Sequence, residues 1–214
     1  MKKTLSILLI ICGITLTLPG QEMQRKKVGV VLSGGGAKGF AHVGVLKVLE
    51  ETGIPIDYIA GTSMGAVVGG LYAAGYSSDM IDSLIKIQDW NYLMRDEIYR
   101  KHQHASRRDH QKRYIISLPY QLKFREKRGK MTLPPGVYAG QNIYTLFLKL
   151  TAGYQNDLNF NDLSIPFGCV AADVRSGREV VLREGSLPEA IRASMAIPGM
   201  FTPVEKDSML LIDG

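Results

Sequence analysis

A serine stands between two glycines in Gly61-Thr62-Ser63-Met64-Gly65, directly after the short apolar run 58–60. Small residues follow from 66 to 74, with the composition of a closely packed helix. A serine on a sharp turn between a strand and a helix projects its hydroxyl away from the sheet, toward substrate. The Gly-x-Ser-x-Gly pattern is weak by itself, but the flanking strand and helix signals favour Ser63 as an acylating nucleophile.

The base for this nucleophile is not a histidine in the usual order. A serine hydroxyl needs a base to remove its proton, and in α/β-hydrolases the histidine follows the acid. The four histidines are His42, His102, His104 and His110. Three of them lie in a basic stretch where surface positions are expected, and His42 is expected to be a structural partner. The sequence therefore disfavours a Ser-His-Asp triad, and no acidic or cysteine cluster makes His102 and His104 a metal site.

A second glycine motif, Gly34-Gly35-Gly36 with Gly39 beyond it, follows the β-branched run 28–33. Such a turn directs N–H groups beside a helix N-terminus, where they stabilise a developing oxyanion. The spacing also fits a dinucleotide-binding turn, with Asp57 about 20 residues on as ribose ligand. Against this alternative, Asp57 precedes the second strand instead of following it. A Walker-type loop is excluded, because Phe40 stands where its lysine is needed.

Strand and helix signals alternate along the chain and predict an α/β fold. Strands are predicted at 28–33, 58–60, 166–172 and 209–212, and helices from Phe40 to the stop at Gly53, at 66–74, after a Ser77 cap, at 142–150 and at 187–195. This alternation predicts a mainly parallel sheet covered on both faces. Both glycine turns then emerge at the carboxyl edge of the sheet, where open α/β sheets place ligands.

The amino-terminal 20 residues have the layout of a secretory signal peptide. Two lysines precede an uncharged apolar run from Leu5 to Leu18, which Pro19 and Gly20 close. The run is short for a membrane-spanning helix, so a retained anchor and lipidation at Cys12 are the less favoured alternatives. Only Cys169 remains after processing, and its apolar surroundings predict a buried, inert thiol.

Basic residues concentrate in the middle of the chain. The chain carries a net charge of +6, and residues 95–130 alone hold twelve Lys and Arg against four Asp and Glu. We interpret 95–139 as an insertion, with weak alternation over 114–124 that indicates an edge hairpin at best. A cationic surface of this kind suits an anionic lipid surface or nucleic acid. A solvated loop is the alternative.

Together, these segments resemble the patatin-like phospholipases, in particular exported bacterial members. The resemblance covers residues 27–214, read as one domain. It is carried by four segments in order: Gly34-Gly35-Gly36-Ala37-Lys38-Gly39, Gly61-Thr62-Ser63-Met64-Gly65, Ala193-Ser194-Met195-Ala196-Ile197-Pro198-Gly199, and Asp213-Gly214.

The resemblance implies a three-layer α/β/α fold and a serine acyl hydrolase without cofactor or metal. The alternative is a non-catalytic lipid-binding module that keeps the fold without the chemistry. It implies a Ser63-Asp213 dyad and an oxyanion hole formed by Gly34, Gly35, Gly36, Ala37 and Lys38, with Gly39, Gly61, Gly65 and Gly214 as motif support. The expected substrate is a phospholipid or other acyl ester, and the expected surface partner is a membrane, not nucleic acid. The expected location is the periplasm or outer membrane of a bacterium, with the cell surface or secretion as alternatives. The family's final motif has a third small residue after Asp-Gly, so we interpret the domain as C-terminally incomplete.

Overall fold

The computed structural model describes residues 25–96, 98, 121–123, 130–132 and 136–214. Its strands are β1 (Gly29–Leu32), β2 (Tyr58–Thr62), β3 (Gln121–Lys123), β4 (Lys130–Thr132), β5 (Gly136–Tyr138), β6 (Leu158–Asn159), β7 (Phe167–Asp173), β8 (Arg178–Leu182), β9 (Glu184–Gly185), β10 (Gly199–Phe201), β11 (Val204–Lys206) and β12 (Met209–Asp213). Its α-helices are α1 (Ala41–Glu51), α2 (Met64–Ala73), α3 (Ser78–Ile87), α4 (Trp90–Met94), α5 (Gln141–Leu150) and α6 (Leu187–Ser194), and short 3₁₀ helices cover Gly36–Phe40 and Phe160–Asp162.

The main sheet has six strands with parallel pairing at its centre. Its order is β1-β2-β7-β12-β11, and β8 also pairs with β7. The β1–β2 and β2–β7 pairs are parallel, whereas β8, β12 and β11 pair antiparallel. Because β1 and β2 run in the same direction, the glycine turn after β1 and the Ser63 turn after β2 emerge at the same edge. The predicted α/β class with a mainly parallel central sheet is confirmed.

One edge of β7 is shared by two strands that run toward each other. The opposite edge is occupied by β8 along Cys169–Asp173, so β2 and β12 both pair on the remaining edge. Thr62 ends β2 opposite Val170, and Asp213 ends β12 opposite Ala171. Since Val170 and Ala171 are consecutive residues, the carboxyl ends of β2 and β12 meet head to head.

Small residues let α2 approach the sheet and α6 closely. A Cβ added to Gly69 would lie 2.9 Å from Ile59 Cγ2, and a Cβ added to Gly70 would lie 2.8 Å from Ile191 Cδ1. Larger side chains at these positions would push the helix outward, because protein interiors are close-packed. The core around this contact is fully buried and mainly aliphatic and aromatic, including Leu46, Ile59, Val68, Phe147, Phe160, Phe167, Ile191, Phe201 and Leu211.

Local signals in the sequence agree with where several helices begin and end. Ser77 caps α3 by accepting a hydrogen bond from the Met80 N–H, as predicted. After α1, Gly53 has a positive φ of 67°, which glycine adopts without steric cost. The helix predicted over 187–195 is α6, which begins with Pro188 in its first turn.

The two ends of segment 95–139, which we interpret as an insertion, lie together. The Asp96 carboxylate accepts hydrogen bonds from the Gly140 N–H at 2.6 Å and the Asn142 N–H at 2.9 Å. A carboxylate at a helix N-terminus satisfies free N–H groups and complements the helix dipole. Between these ends, β3 and β4 form an antiparallel pair outside the main sheet. The predicted hairpin falls partly on 114–120, outside the described residues.

Other expectations lie outside the described residues as well. They concern the predicted signal peptide at 1–20, Cys12, His102, His104, His110 and most of the basic segment. Within the part of the chain that the structure describes, no helix is long and apolar enough to cross a bilayer.

Candidate active site

Ser63 occupies a sharp turn with a backbone conformation that is rare for a residue with a side chain. Its φ is 55° and its ψ is −122°, a combination that costs on the order of 1–3 kcal/mol and persists only where its surroundings enforce it. Two glycines make the turn sterically possible. A Cβ on Gly61 would overlap the backbone of Gly65, and a Cβ on Gly65 would overlap the Leu32 carbonyl.

The Ser63 hydroxyl contacts a carboxylate from the far end of the sequence. Ser63 Oγ donates a hydrogen bond to Asp213 Oδ2 at 2.8 Å. Ser63 is 6% exposed, and Asp213 is partly buried. The structure therefore brings together the two side chains that the family resemblance paired, and their oxygen atoms hydrogen-bond to each other directly.

The surroundings of Asp213 change its proton affinity. Burial raises the pKa of the Asp213 carboxyl above its ordinary value, while hydrogen bonds from the Ser63 hydroxyl and the Gly214 N–H oppose that rise. A carboxylate of raised pKa holds a proton more strongly, which suits a general base. The Asp213 backbone is held too, because its N–H donates to the Ala196 carbonyl at 3.1 Å.

The glycine turn packs directly against the serine turn. A Cβ added to Gly34 would lie 3.1 Å from Ser63 Cβ, and one added to Gly39 would lie 2.6 Å from Met64 Cβ. Gly35 and Gly36 have positive φ values of 153° and 54°, which favour glycine at both positions. The absence of side chains at Gly34 and Gly39 thus allows the two turns to touch.

The 3₁₀ helix Gly36–Phe40 begins directly after the part of the glycine turn that contacts Ser63. The Lys38 N–H donates to the Gly35 carbonyl at 3.2 Å, so the N–H groups of Gly35, Gly36 and Ala37 precede the first bond of this helix. The Lys38 side chain is exposed. This arrangement is suitable for holding an oxyanion.

His42 contacts the backbone directly before the glycine turn. Its Nε2 lies 2.8 Å from the Ser33 carbonyl oxygen, within hydrogen-bond distance. The residue therefore has the structural role expected of it, at the base of the turn that follows β1. Its partner is a backbone carbonyl, whereas the Ser63 hydroxyl is bonded to Asp213.

The dinucleotide alternative is not supported by the position of Asp57. The Asp57 carboxylate accepts from Arg25 at 2.6 and 2.7 Å and from the Val28 N–H at 2.7 Å. It precedes β2, at the end of the sheet opposite the glycine turn, and five strand residues span about 16 Å. Asp57 therefore joins the amino ends of β1 and β2 and does not face the glycine turn.

Ser194, which belongs to the third of the four family segments, also contributes to the site. Its hydroxyl accepts a hydrogen bond from the Ser63 N–H at 2.9 Å and donates one to the Val170 carbonyl. Ser194 is fully buried. Neighbouring Cys169 is buried as predicted, its thiol donates to the Ala190 carbonyl, and burial raises its pKa to about 12. The available signal for Ser194 was a serine directly before the apolar residues Met195, Ala196 and Ile197.

A cavity of about 270 Å³ elsewhere in the molecule does not belong to this site. It lies between α5 and α6 and is lined in part by Tyr144, Glu189 and Arg192. None of its lining residues comes from the glycine turn, the Ser63 turn or β12. Among the described residues, no group of three or more His, Cys, Asp or Glu side chains is arranged to hold a metal ion.

The sequence is similar to longer proteins from bacteria, fungi and animals. An uncharacterized NTE family protein of Mycobacterium tuberculosis is 33% identical over 189 residues, which cover 88% of this chain and 42% of that protein. Lysophospholipase nte1 of Emericella nidulans is 30% identical over 88% of this chain and 10% of its own length. Human patatin-like phospholipase domain-containing protein 6 is 30% identical over 87% of this chain and 11% of its own length. The chain thus spans less than half the length of these relatives.

The fold is similar to that of a solved bacterial protein. VipD from Legionella pneumophila matches with a TM-score of 0.53 over 89% of this chain and 46% of that chain, at 16% sequence identity. At this identity the likeness concerns the fold alone. The patatin-like phospholipase family profile matches residues 30–214, which include both glycine motifs, Ser194 and Asp213. The chain therefore belongs to the patatin-like phospholipase family.

Proposed function

We propose that this protein is a serine acyl hydrolase that cleaves fatty-acyl esters of phospholipids or related lipids through a Ser63-Asp213 dyad. The observation that carries the proposal is the 2.8 Å hydrogen bond from Ser63 Oγ to Asp213 Oδ2, made by a serine on a strained turn. Family membership and a relative named as a lysophospholipase support an acyl-ester substrate.

In the acylation step, Asp213 accepts the Ser63 proton as Oγ forms a bond to the ester carbonyl carbon. The carbonyl oxygen becomes negatively charged, and the N–H groups of Gly35, Gly36 and Ala37 donate hydrogen bonds to it. Each such donor typically contributes about 10² to 10³ in rate. The tetrahedral species then collapses, the bond to the alcohol oxygen breaks, and Asp213 returns the proton to that oxygen. An acyl-enzyme remains on Ser63.

In the deacylation step, the same carboxylate acts on water. Asp213 accepts a proton from a water molecule as the water oxygen attacks the acyl carbon, and the same N–H groups hold the second oxyanion. The bond to Ser63 Oγ breaks, the proton on Asp213 returns to Oγ, and the fatty acid leaves. The residues therefore begin the next cycle in their original protonation states.

A fluorophosphonate probe tests the nucleophile, because it reacts with activated serines. We expect the purified protein to be labelled, and labelling and ester hydrolysis to be lost in Ser63→Ala. Ser208→Ala is the matched control, since Ser208 also has a positive φ, of 64°, but lies on the turn between β11 and β12. The control should label like the unmodified protein. A correctly folded protein that neither labels nor cleaves esters would instead indicate a non-catalytic lipid-binding module.

We also propose that the protein is exported across the inner membrane of a bacterium and acts in the periplasm or outer membrane. The basic start and the apolar run from Leu5 to Leu18 support this location. The amino-terminal residue of the protein recovered from the cell envelope tests it, because export predicts that the first 20 or so residues have been removed. Recovery of the full chain in the cytosol alone would contradict the proposal.

A further inference from the structure

The end of α6 holds the backbones of both residues of the proposed dyad. The Ser194 hydroxyl accepts the hydrogen bond of the Ser63 N–H at 2.9 Å, and two residues later the Ala196 carbonyl accepts that of the Asp213 N–H at 3.1 Å. Ser63 and Asp213 are 150 residues apart in sequence. The segment 194–196 thus bonds to the backbone at both strand ends, which also meet on β7.

The Ser194 hydroxyl also occupies a break in the sheet. Pairing between β2 and β7 ends at Thr62 and Val170, where β2 turns away into Ser63. The Ser63 N–H and the Val170 carbonyl lie just at this end, and the Ser194 hydroxyl bonds to both. A buried N–H without an acceptor is unfavourable, so this one side chain satisfies the backbone where the ladder stops.

We propose that Ser194 is a positioning residue that keeps Ser63 Oγ aimed at Asp213 and at the ester. It touches neither the substrate nor the reacting atoms and acts through the Ser63 backbone. The strained φ of 55° at Ser63 requires such an external restraint. The inference rests on the proposed hydrolase function, because the position of Oγ matters only if Oγ attacks.

The test compares Ser194→Ala with the unmodified protein on a soluble fatty-acyl ester. A misplacement of about 1 Å costs up to about 10²-fold in rate, so we expect kcat and the fluorophosphonate labelling rate to fall about 10- to 100-fold. KM should change by less than about twofold, since the substrate contacts remain. Ser194→Thr, which keeps the hydroxyl, should recover much of the lost rate.

A pH profile adds a readout that a purely structural role would not move. The hydrogen bond from Ser63 opposes the rise in the pKa of Asp213. If Oγ leaves Asp213 in Ser194→Ala, that opposition is lost and the acid limb of kcat/KM moves to higher pH. An unchanged acid limb together with an unchanged kcat would overturn the proposal.

Ser78→Ala is the matched control for loss of a buried hydroxyl. Ser78 is 1% exposed and donates through its hydroxyl to Glu50, at the start of α3. Its alanine variant should lose stability but keep kcat. An equal loss of kcat in both variants would show that Ser194 has only a general structural role. Thermal unfolding of each variant separates loss of fold from loss of rate.

Three further outcomes are decisive. If Ser194→Ala does not fold, Ser194→Cys, whose thiol is a weak donor and acceptor, takes its place: a lower kcat with native unfolding behaviour supports positioning, and an unchanged kcat overturns it. If the unmodified protein shows no labelling and no hydrolysis, the proposed function itself fails, and positioning fails with it. Full activity in a folded Ser194→Ala beside an inactive Ser63→Ala overturns the positioning role alone.

Discussion

Asp213 has to be ionised to accept the Ser63 proton, and its surroundings oppose ionisation. Burial is the larger influence and raises the pKa of this carboxyl, against the hydrogen bonds from Ser63 and Gly214. A free aspartate titrates at about 3.9. The raised pKa means that Asp213 becomes protonated at a higher pH than a free aspartate. As the pH falls through this raised pKa, the base is neutralised and activity is lost.

We therefore expect the acid limb of kcat/KM on a soluble ester to have its midpoint above about 3.9. Asp213→Asn removes the base and should lower kcat by about 10² to 10⁴-fold, the usual contribution of a general base. Asp207→Asn, at an exposed position on the turn before β12, should leave both the limb and kcat unchanged. An Asp213→Asn variant with nearly full kcat would exclude Asp213 as the base.

Gly34 shows how close the two turns are. A methyl group at this position would lie 3.1 Å from Ser63 Cβ, so one of the turns has to move. We expect Gly34→Ala to lower kcat by up to about 10²-fold, the cost of a misplacement of about 1 Å, because the shift moves Ser63 relative to the glycine turn. Gly29→Ala on β1, where a Cβ meets nothing within 4 Å, is the control. Equal kcat values in the two variants would argue against this contact.

At the scale of elements, the crossing of α2 over the end of β1 depends on one glycine. A Cβ on Gly65 would overlap the Leu32 carbonyl, which is backbone and has no rotamer that relieves the contact. We expect Gly65→Ala to reduce the free energy of unfolding by about 1–3 kcal/mol or more. Denaturant unfolding measures this change, and it should be accompanied by loss of fluorophosphonate labelling.

Gly44→Ala provides the contrast within another helix. Gly44 lies inside α1, is exposed, and has open space where a Cβ would stand. Alanine there should raise the free energy of unfolding by about 0.5–1 kcal/mol, because glycine loses more backbone entropy on folding. Similar effects at both glycines would show that the packing of α2 on β1 does not depend on Gly65.

Local patterns in the sequence were sufficient for the elements that carry the two turns. The β-branched run before Gly34, the apolar run before Ser63 and the small residues after it indicate strand, turn and helix through neighbours in the chain. Parallel strands then place both turns at one edge of the sheet. The edge of the sheet where the site lies could therefore be predicted from residue types alone.

The meeting of β2 with β12 depends on contacts that local patterns do not encode. Nothing near Asp213 indicates that β12 pairs antiparallel with β7, or that it uses the same edge of β7 as β2. The resemblance to a family paired Ser63 with Asp213, and the strand register supplies the physical reason. The role of Ser194 was not predicted, because a hydroxyl that bridges two backbone groups requires coordinates.

At the scale of the whole molecule, charge is unevenly distributed. Residues 95–130 hold twelve basic and four acidic residues, and Asp96 connects the start of the segment to the N-terminus of α5. A basic residue near an anionic membrane contributes about 1 kcal/mol. We propose that this segment binds the protein to an anionic lipid surface.

We expect a variant with Arg107, Arg108, Lys112 and Arg113 changed to Gln to lose at least about tenfold in activity on anionic phospholipid vesicles. Its activity on a soluble ester should remain. The control changes four exposed basic residues outside the segment to Gln: Lys26, Lys27, Lys149 and Arg183. Equal losses on vesicles and on the soluble ester, or equal losses in the two variants, would remove the membrane role.

The head-to-head meeting of β2 and β12 also affects the order in which the site is assembled during synthesis and folding. A ribosome makes the nucleophile turn early and the carboxylate 150 residues later, so a nascent chain that has reached Phe201 already contains Ser63, the glycine turn and Ser194 but no base. Only the arrival of β12 beside β7 completes the dyad. On the proposed mechanism, lipid cleavage therefore cannot begin until β12 has folded beside β7.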